Sequence, residues 1–162
     1  NFLFYAGTVW PLLPKIARAV APEAPWDPKF DPTNDLFGWD KAVARAQAIR
    51  SELVAKGELE PFLSSSRYQL VAQIAFIAQE RVWRVSPGRD QYSFWQKEED
   101  WRPLVGRSSI FITDHRYERD PRGDGVFESC EELEPELVMR GDELARKFNF
   151  WLCRGFLGLK SE

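Results

Sequence analysis

The chain has 162 residues, of which 44% are hydrophobic and 29% are charged, a balance typical of one globular domain with a buried core. Its 22 basic and 25 acidic side chains give a formal net charge of −3, so there is no overall positive field for phosphates and we expect no nucleic-acid partner. The longest uncharged run, residues 1–14, contains Pro11 and Pro14 and is shorter than the roughly 20 apolar residues of a membrane-spanning helix. We therefore expect no spanning helix in these residues.

Residues 1–35 are predicted to form an N-terminal arm that is rich in proline and aromatic residues. Proline interrupts any long element, so the sequence predicts only a short amphipathic helix over residues 14–20, followed by an extended segment. Trp10, Trp26 and the apolar residues 2–13 are suited to lie on a bilayer surface. The equal alternative is that the arm packs on its own domain.

Residues 36–162 are predicted to form a single α/β domain whose first half alternates helices and strands. Apolar residues at helical spacing predict a helix over residues 40–56, stopped by Gly57, and a second helix that begins after Ser66 and ends near Gln79. Ser66 and Gln69 are predicted to form a capping box at the start of the second helix. Short strands are predicted at residues 60–64, 82–85 and 110–113. This order predicts a Rossmann-like layered sheet that is parallel at first.

The last third of the chain has the alternation of antiparallel strands and ends in a predicted hairpin. We predict strands at residues 126–130, 136–140 and 145–153, with Gly141-Asp142 as the hairpin turn. If that turn is symmetric, residues whose numbers sum to 283 face one another, which places Cys130 opposite Cys153 unless Pro135 shifts the register. A disulfide and a pair of unbonded core thiols both remain open.

The rare residue types limit the chemistry. The two cysteines are too far apart for a CxxC metal or redox motif, and the single histidine, His115, excludes sites that need two imidazoles. We expect no metal site and no cofactor. Aromatic residues make up 14% of the chain, more than a core of this size requires, so we expect some of that surface to contact another body.

Polar residues at two predicted strand ends allow one enzymatic hypothesis. Ser64 and Ser65 lie where a strand meets a helix, an edge at which parallel sheets bind ligands, and Asp114 with His115 ends another strand. A small free-standing hydrolase or nucleotide-binding enzyme would use these groups, although there is no GxSxG elbow, Gly-rich loop or Walker lysine. Residues 120–131 match part of a calcium loop, but Arg122 occupies a ligand position and a simple turn is expected instead.

Four segments in series carry a family resemblance. They are residues 31–39 (DPTNDLFGW), residues 66–69 (SRYQ) with Ala75-Phe76 in the same helix, residues 89–95 (RDQYSFW) and residues 106–112 (GRSSIFI). In this order they resemble the carboxy-terminal soluble region of bacterial glycosyltransferase family 39 proteins, which group the dolichyl-phosphate-mannose protein mannosyltransferases with the lipid A aminoarabinose transferases. The matching residues are Gly38, Trp39, Tyr68, Gln69, Arg89, Gln91, Tyr92 and Trp95.

The resemblance implies an extracytoplasmic domain of a multi-pass enzyme, on the periplasmic face of the inner membrane. Such enzymes pass a sugar from a polyprenyl-phosphate carrier to a protein or lipid acceptor. Their catalytic acids lie between the membrane helices, so no catalytic residue is carried over to this chain. The implied partners are the membrane-embedded portion of the same polypeptide, the lipid-linked sugar and the acceptor.

The candidate contacts to a sugar or acceptor are chosen by residue type, because planar donors beside aromatic rings suit a sugar ring. They are Tyr68, Gln69, Arg89, Gln91, Tyr92 and Trp95. A third hypothesis, beside the transferase domain and the free-standing enzyme, is a structural adaptor that binds a protein partner through its aromatic arm.

Overall fold

The computed structural model of the protein describes residues 11–86 and 96–159, which form an α/β fold. The helices are α1 (Leu12–Val20), α2 (Trp39–Ala55), α3 (Tyr68–Ala78) and α4 (Glu98–Trp101), and the strands are β1 (Phe62–Ser65), β2 (Trp83–Arg84), β3 (Ser109–Asp114), β4 (Phe127–Arg140) and β5 (Glu143–Phe156). Short 3₁₀ helices cover Pro28–Phe30, Pro32–Leu36, Arg102–Leu104 and Pro121–Asp124. In the two described ranges, no helix has the length and apolar character needed to span a membrane.

The five strands form one mixed sheet in the order β2-β1-β3-β5-β4. β1 is parallel to β2 and β3, whereas β5 is antiparallel to both β3 and β4. The predicted α/β sheet, parallel at first and closed by an antiparallel hairpin, is therefore confirmed. The helical stop at Gly57 is confirmed too, since this residue has a left-handed φ of 85° just after α2.

Each face of the sheet has its own hydrophobic core. The first core packs α2 and α3 on one face, where Leu63, Ile110 and Phe150 are fully buried. The second core lies on the other face and is closed by Trp101 and Leu104 from the connection between β2 and β3. The crossover from β1 to β2 covers one face of the sheet, and the connection from β2 to β3 covers the other. The strand order therefore reverses between β1 and β3. The carboxyl ends of these strands form the topological switch point, the usual ligand-binding edge of open α/β sheets.

The antiparallel hairpin departs from the predicted pattern in one respect. The segments predicted as strands at residues 126–130 and 136–140 do lie in strand from Phe127 onward, but the break predicted between them is wrong, because β4 is one continuous strand of 14 residues. The predicted turn is confirmed, with Arg140 paired to Glu143 across it. The register slips by one residue between Leu133 and Glu136, where Pro135 lies, and an opposite slip between Val138 and Met139 offsets it.

The two register shifts cancel, so Cys130 is paired with Cys153 across the strands. The two residues form a disulfide, with Cα atoms 4.0 Å apart. This resolves the alternative that the sequence left open. The bond joins the edge strand β4 to β5, which is itself paired with the parallel half of the sheet through β3.

The predicted capping box is also wrong. The residue before α3 is Arg67, which has extended backbone angles, and no side chain caps the helix. Ser66 lies one residue too early to cap α3, and the buried Oε1 of Gln69 has no hydrogen-bond partner among residues 11–86 and 96–159. The arm differs as well, since its predicted extended segment contains the 3₁₀ helix Pro28–Phe30.

Candidate functional site

The serines at the switch point are fixed by internal hydrogen bonds. Ser64 Oγ and Ser109 Oγ share a hydrogen bond of 2.6 Å, and Ser65 Oγ donates to the carbonyl of Ile112 at 2.6 Å. Both serines of β1 are fully buried. Neither hydroxyl is directed at a base, so the arrangement lacks an activated nucleophile of the Ser-His type.

The acidic group of the hydrolase hypothesis, Asp114, is also held by internal hydrogen bonds. Asp114 is fully buried, and its Oδ2 accepts from Arg146 Nε at 2.9 Å while its Oδ1 accepts from the Tyr117 backbone N–H at 2.9 Å. A buried carboxylate needs such partners because removing it from water is costly. Asp114 therefore anchors Arg146 and the turn at Tyr117, and it does not orient His115.

His115 is half-buried and is held through its own ring. Its Nδ1 accepts from the Lys147 backbone N–H at 3.2 Å, which leaves the ring proton of the neutral form on Nε2. That Nε2 is buried and has no hydrogen-bond partner in the part of the chain that the structure describes. Burial lowers the pKa of His115 below its ordinary value of 6.5, against the opposing effect of Asp114. The described geometry does not support the hydrolase hypothesis, because no serine faces this ring.

Beside the switch point, the segment of residues 31–39 forms a clamp on the hairpin. Arg146 crosses from β5, donates from Nη1 to the Asp35 carbonyl at 2.9 Å and lies over the Trp39 ring at 4.2 Å. Arg140 donates to Thr33 Oγ1 at 2.8 Å and to Asn34 Oδ1 at 3.0 Å. Both guanidinium groups are buried.

Two residues of the family resemblance act in this clamp. Gly38 has a φ of 79°, and a Cβ built on it would lie 2.5 Å from Val138 Cγ2 on β4. Trp39 begins α2, and its indole Nε1 donates to the Asp35 carbonyl at 2.8 Å. Gly38 and Trp39 therefore hold the start of α2 against the hairpin.

Tyr68 and Gln69 lie in the first turn of α3, directly after the carboxyl end of β1. Tyr68 is exposed, and Gln69 is half-buried. The preceding residue, Arg67, stacks its guanidinium on the Tyr117 ring at 4.8 Å, which joins this turn to the loop after β3. The two candidates thus border the switch point on the side of β1, where Tyr68 presents an aromatic ring and the amide oxygen of Gln69 is buried.

The other four candidates, Arg89, Gln91, Tyr92 and Trp95, lie outside the described residues. The described residues that flank them both lie beside β2. Val85 donates from its backbone N–H to the Ser65 carbonyl at 2.8 Å, and Ser86 follows it. The side-chain amide of Gln96, oriented by its hydrogen bonds, donates to the Arg84 carbonyl at 3.1 Å and accepts from the Arg84 N–H at 2.8 Å.

In the segment that partly matches a calcium loop, the carboxylates bind arginine side chains. Asp120 accepts from Arg122 Nε at 2.9 Å, and Asp124 accepts from Arg119 Nε at 2.8 Å. Asp120 also caps the 3₁₀ helix Pro121–Asp124, which makes this segment the predicted turn. Within residues 11–86 and 96–159, no group of three or more His, Cys, Asp or Glu side chains is arranged to hold a metal ion.

Sequence reasoning missed that Arg140 and Arg146 are buried and that each is paired with an aspartate. Their partners Asp31 and Asp114 are distant in sequence, and Arg140 Nη1 lies 3.7 Å from Asp31 Oδ2. The available signal was the alternation of β5, which places Arg146 on the same face of the strand as Phe148 and Phe150. A charge on that face requires a buried partner.

The comparisons with known proteins leave the family open. The chain has no significant match to a protein-family model, to a curated protein or to a solved structure.

Proposed function

We propose that this chain is an extracytoplasmic domain of a membrane glycosyltransferase, on the periplasmic face of the inner membrane. The whole enzyme would transfer a sugar from a polyprenyl-phosphate carrier to a protein or lipid acceptor. The domain is not catalytic alone and contributes contacts to the sugar or the acceptor. Its partners are the membrane-embedded portion of the same polypeptide, the lipid-linked sugar and the acceptor.

One observation carries the proposal. Tyr68 and Gln69 lie at the same edge of the sheet as the two residues that flank the segment with the other four candidates. Tyr68 and Gln69 follow the carboxyl end of β1. Ser86 and Gln96 flank residues 87–95 and lie beside β2, the parallel neighbour of β1. This edge suits a binding surface of donors and aromatic rings assembled from two connections.

Two further observations support the proposal. The Cys130–Cys153 disulfide is typical of proteins in oxidising compartments, such as the periplasm. The serine, aspartate and histidine groups of the switch point are engaged in internal contacts, which favours a binding role for this edge over hydrolysis.

The test uses the membrane polypeptide that contains this chain, assayed for sugar transfer from a polyprenyl-phosphate donor. Substituting Arg89→Ala, Trp95→Ala or Tyr68→Ala is expected to lower transfer by about tenfold, the loss of one aromatic or charge-assisted contact. Phe76→Ala is the matched control, because this exposed ring lies on α3 at the end far from the switch point.

Unchanged transfer by folded Arg89→Ala, Trp95→Ala and Tyr68→Ala variants would remove these residues from the site. Hydrolysis of a generic ester or phosphate by the isolated chain, lost in His115→Ala, would favour the free-standing enzyme.

A further inference from the structure

α1 exposes an apolar stripe to solvent. Leu13, Ile16 and Val20 recur at intervals of three and four residues and are 40%, 57% and 80% exposed. A helix on the surface of a globular domain usually buries such a stripe in the core. We call these three side chains the α1 stripe.

The helix nevertheless packs on the domain, through its other side. Pro14 is buried, and Arg18 forms an ion pair with Glu143 at 2.6 Å. Glu143 is the first residue of β5, directly after the hairpin turn, so α1 is attached at the tip of the hairpin. The α1 stripe is left without a partner in the described part of the chain while the helix itself is held in place.

The hairpin tip adds a second apolar surface at this end of the molecule. Leu137 and Met139 lie on β4 within four residues of the turn, and each is about half exposed. β5 pairs Phe148 with Asp114, the last residue of β3, so Glu143 lies beyond the carboxyl end of that strand. The α1 stripe and the tip are therefore at the same end of the sheet as Tyr68 and Gln69.

The charges around the α1 stripe indicate what covers it. Of the two charged residues of α1, Arg18 is paired with Glu143 on the side that packs on the domain, and Lys15 is exposed. The first acidic residue of the chain is Glu23. Residues 1–10, which precede this helix, carry no charge and include Phe2, Phe4, Tyr5 and Trp10. A lysine within an uncharged apolar and aromatic stretch complements an anionic bilayer surface. A second copy of the same helix would instead bring two Lys15 side chains together.

We infer that α1 lies in the plane of a bilayer, with the α1 stripe inserted at the interface and the hairpin tip beside it. This inference rests on the proposed function and names the surface on which the domain faces its membrane partner. It places the switch-point edge towards the membrane, where a lipid-linked sugar is presented. Trp26 is not part of this surface, because it is half-buried and its indole N–H is buried.

The test measures binding of the 162-residue chain to vesicles of phosphatidylglycerol and phosphatidylethanolamine, by co-sedimentation. Ile16→Glu and Val20→Glu are each expected to lower the partition coefficient by at least about tenfold, because a carboxylate replaces an inserted apolar side chain. Leu59→Glu is the matched control. Leu59 is also 80% exposed, but it precedes β1 and so lies at the opposite end of the sheet.

Three results would overturn the inference: no binding by the unaltered chain, equal binding by all variants, or an equal loss in Leu59→Glu. Circular dichroism verifies that each variant is folded. Sedimentation without vesicles tests whether a second copy of the chain covers the α1 stripe instead. A dimer that Ile16→Glu dissociates would assign the stripe to self-association. Sugar transfer is measured separately, so vesicle binding without transfer by the membrane polypeptide would remove only the proposed function.

Discussion

Gly38 meets two constraints that act on a single residue. Its φ of 79° is in the left-handed region, and the space where a Cβ would lie is filled by Val138. Gly57 has a similar φ of 85°, but nothing lies within 4 Å of its Cβ position. Comparing substitutions at Gly38 and Gly57 therefore separates the free-energy cost of the backbone conformation from the cost of close packing.

Gly57→Ala is expected to lower the free energy of unfolding by about 1–2 kcal/mol, the cost of a left-handed L-residue. Gly38→Ala is expected to cost about 1–3 kcal/mol more, because the methyl group overlaps Val138. Urea denaturation of both variants measures the difference. Equal destabilisation would show that the contact with Val138 relaxes without cost.

His115 is the only histidine, so its titration near neutral pH is isolated from other side chains. Burial lowers its pKa in the folded state, so the unfolded chain takes up the proton first as the pH falls. Stability is therefore complete above the ordinary pKa of 6.5 and is lost as the pH falls below it.

We expect the free energy of unfolding to decrease as the pH falls from about 6.5 to about 5, the lower part of the range in which histidine titrates. His115→Asn keeps an acceptor for the Lys147 N–H and has no titrating ring, so its stability should be flat over this range. The shifted carboxyls Asp27, Glu58, Asp100 and Asp120 titrate lower, because their cationic partners hold their pKa below ordinary values. The same slope in the variant and the parent would refute this role of His115.

At the scale of elements, the segment of residues 31–39 and the hairpin stabilise each other through buried arginines. Local patterns predicted the helix after Trp39 and the turn at Gly141-Asp142, because each depends on neighbouring residues. They did not predict that Arg146 reaches Asp114, since that contact joins residues 32 positions apart. The capping box failed for a related reason: the backbone at Arg67 is extended and begins α3 one residue later than the motif requires.

Arg146→Met is expected to destabilise the fold by about 3–5 kcal/mol, because it leaves the Asp114 carboxylate buried without its cation. The matched control is Arg154→Met on the same strand, where the ion pair with Glu58 is exposed to solvent and little loss of stability is expected. Thermal and urea unfolding compare the two. A loss in Arg146→Met no larger than in Arg154→Met would contradict the buried pair.

The disulfide gives a prediction for the hairpin as a unit. Cys130 and Cys153 are separated by 23 positions, and the loop-entropy model gives about 3 kcal/mol for a loop of that size. Dithiothreitol should lower the free energy of unfolding by about this amount in the parent chain. The double variant Cys130→Ala with Cys153→Ala should not respond to it. Full thiol release with unchanged stability would contradict the prediction.

At the scale of the whole molecule, the sequence predicted the α/β class and the change from parallel to antiparallel pairing. The order of helical and strand periods determines both. A symmetric turn placed the two cysteines opposite each other, but the sequence left open both the register at Pro135 and the bond itself. The exposed α1 stripe was not predicted, because periodicity shows that a helix is amphipathic and not which face is buried. The role of residues 89–95 stays a prediction, as these residues lie outside the described ranges.

The central claim is that the reaction takes place in a larger membrane polypeptide and not in this domain. The most direct measurement compares sugar transfer from a polyprenyl-phosphate donor by the membrane polypeptide that contains this chain and by the 162-residue chain alone. We predict transfer by the polypeptide and none by the isolated chain. Turnover by the isolated chain, or no transfer by the purified, folded polypeptide across polyprenyl-phosphate sugars, would contradict the claim.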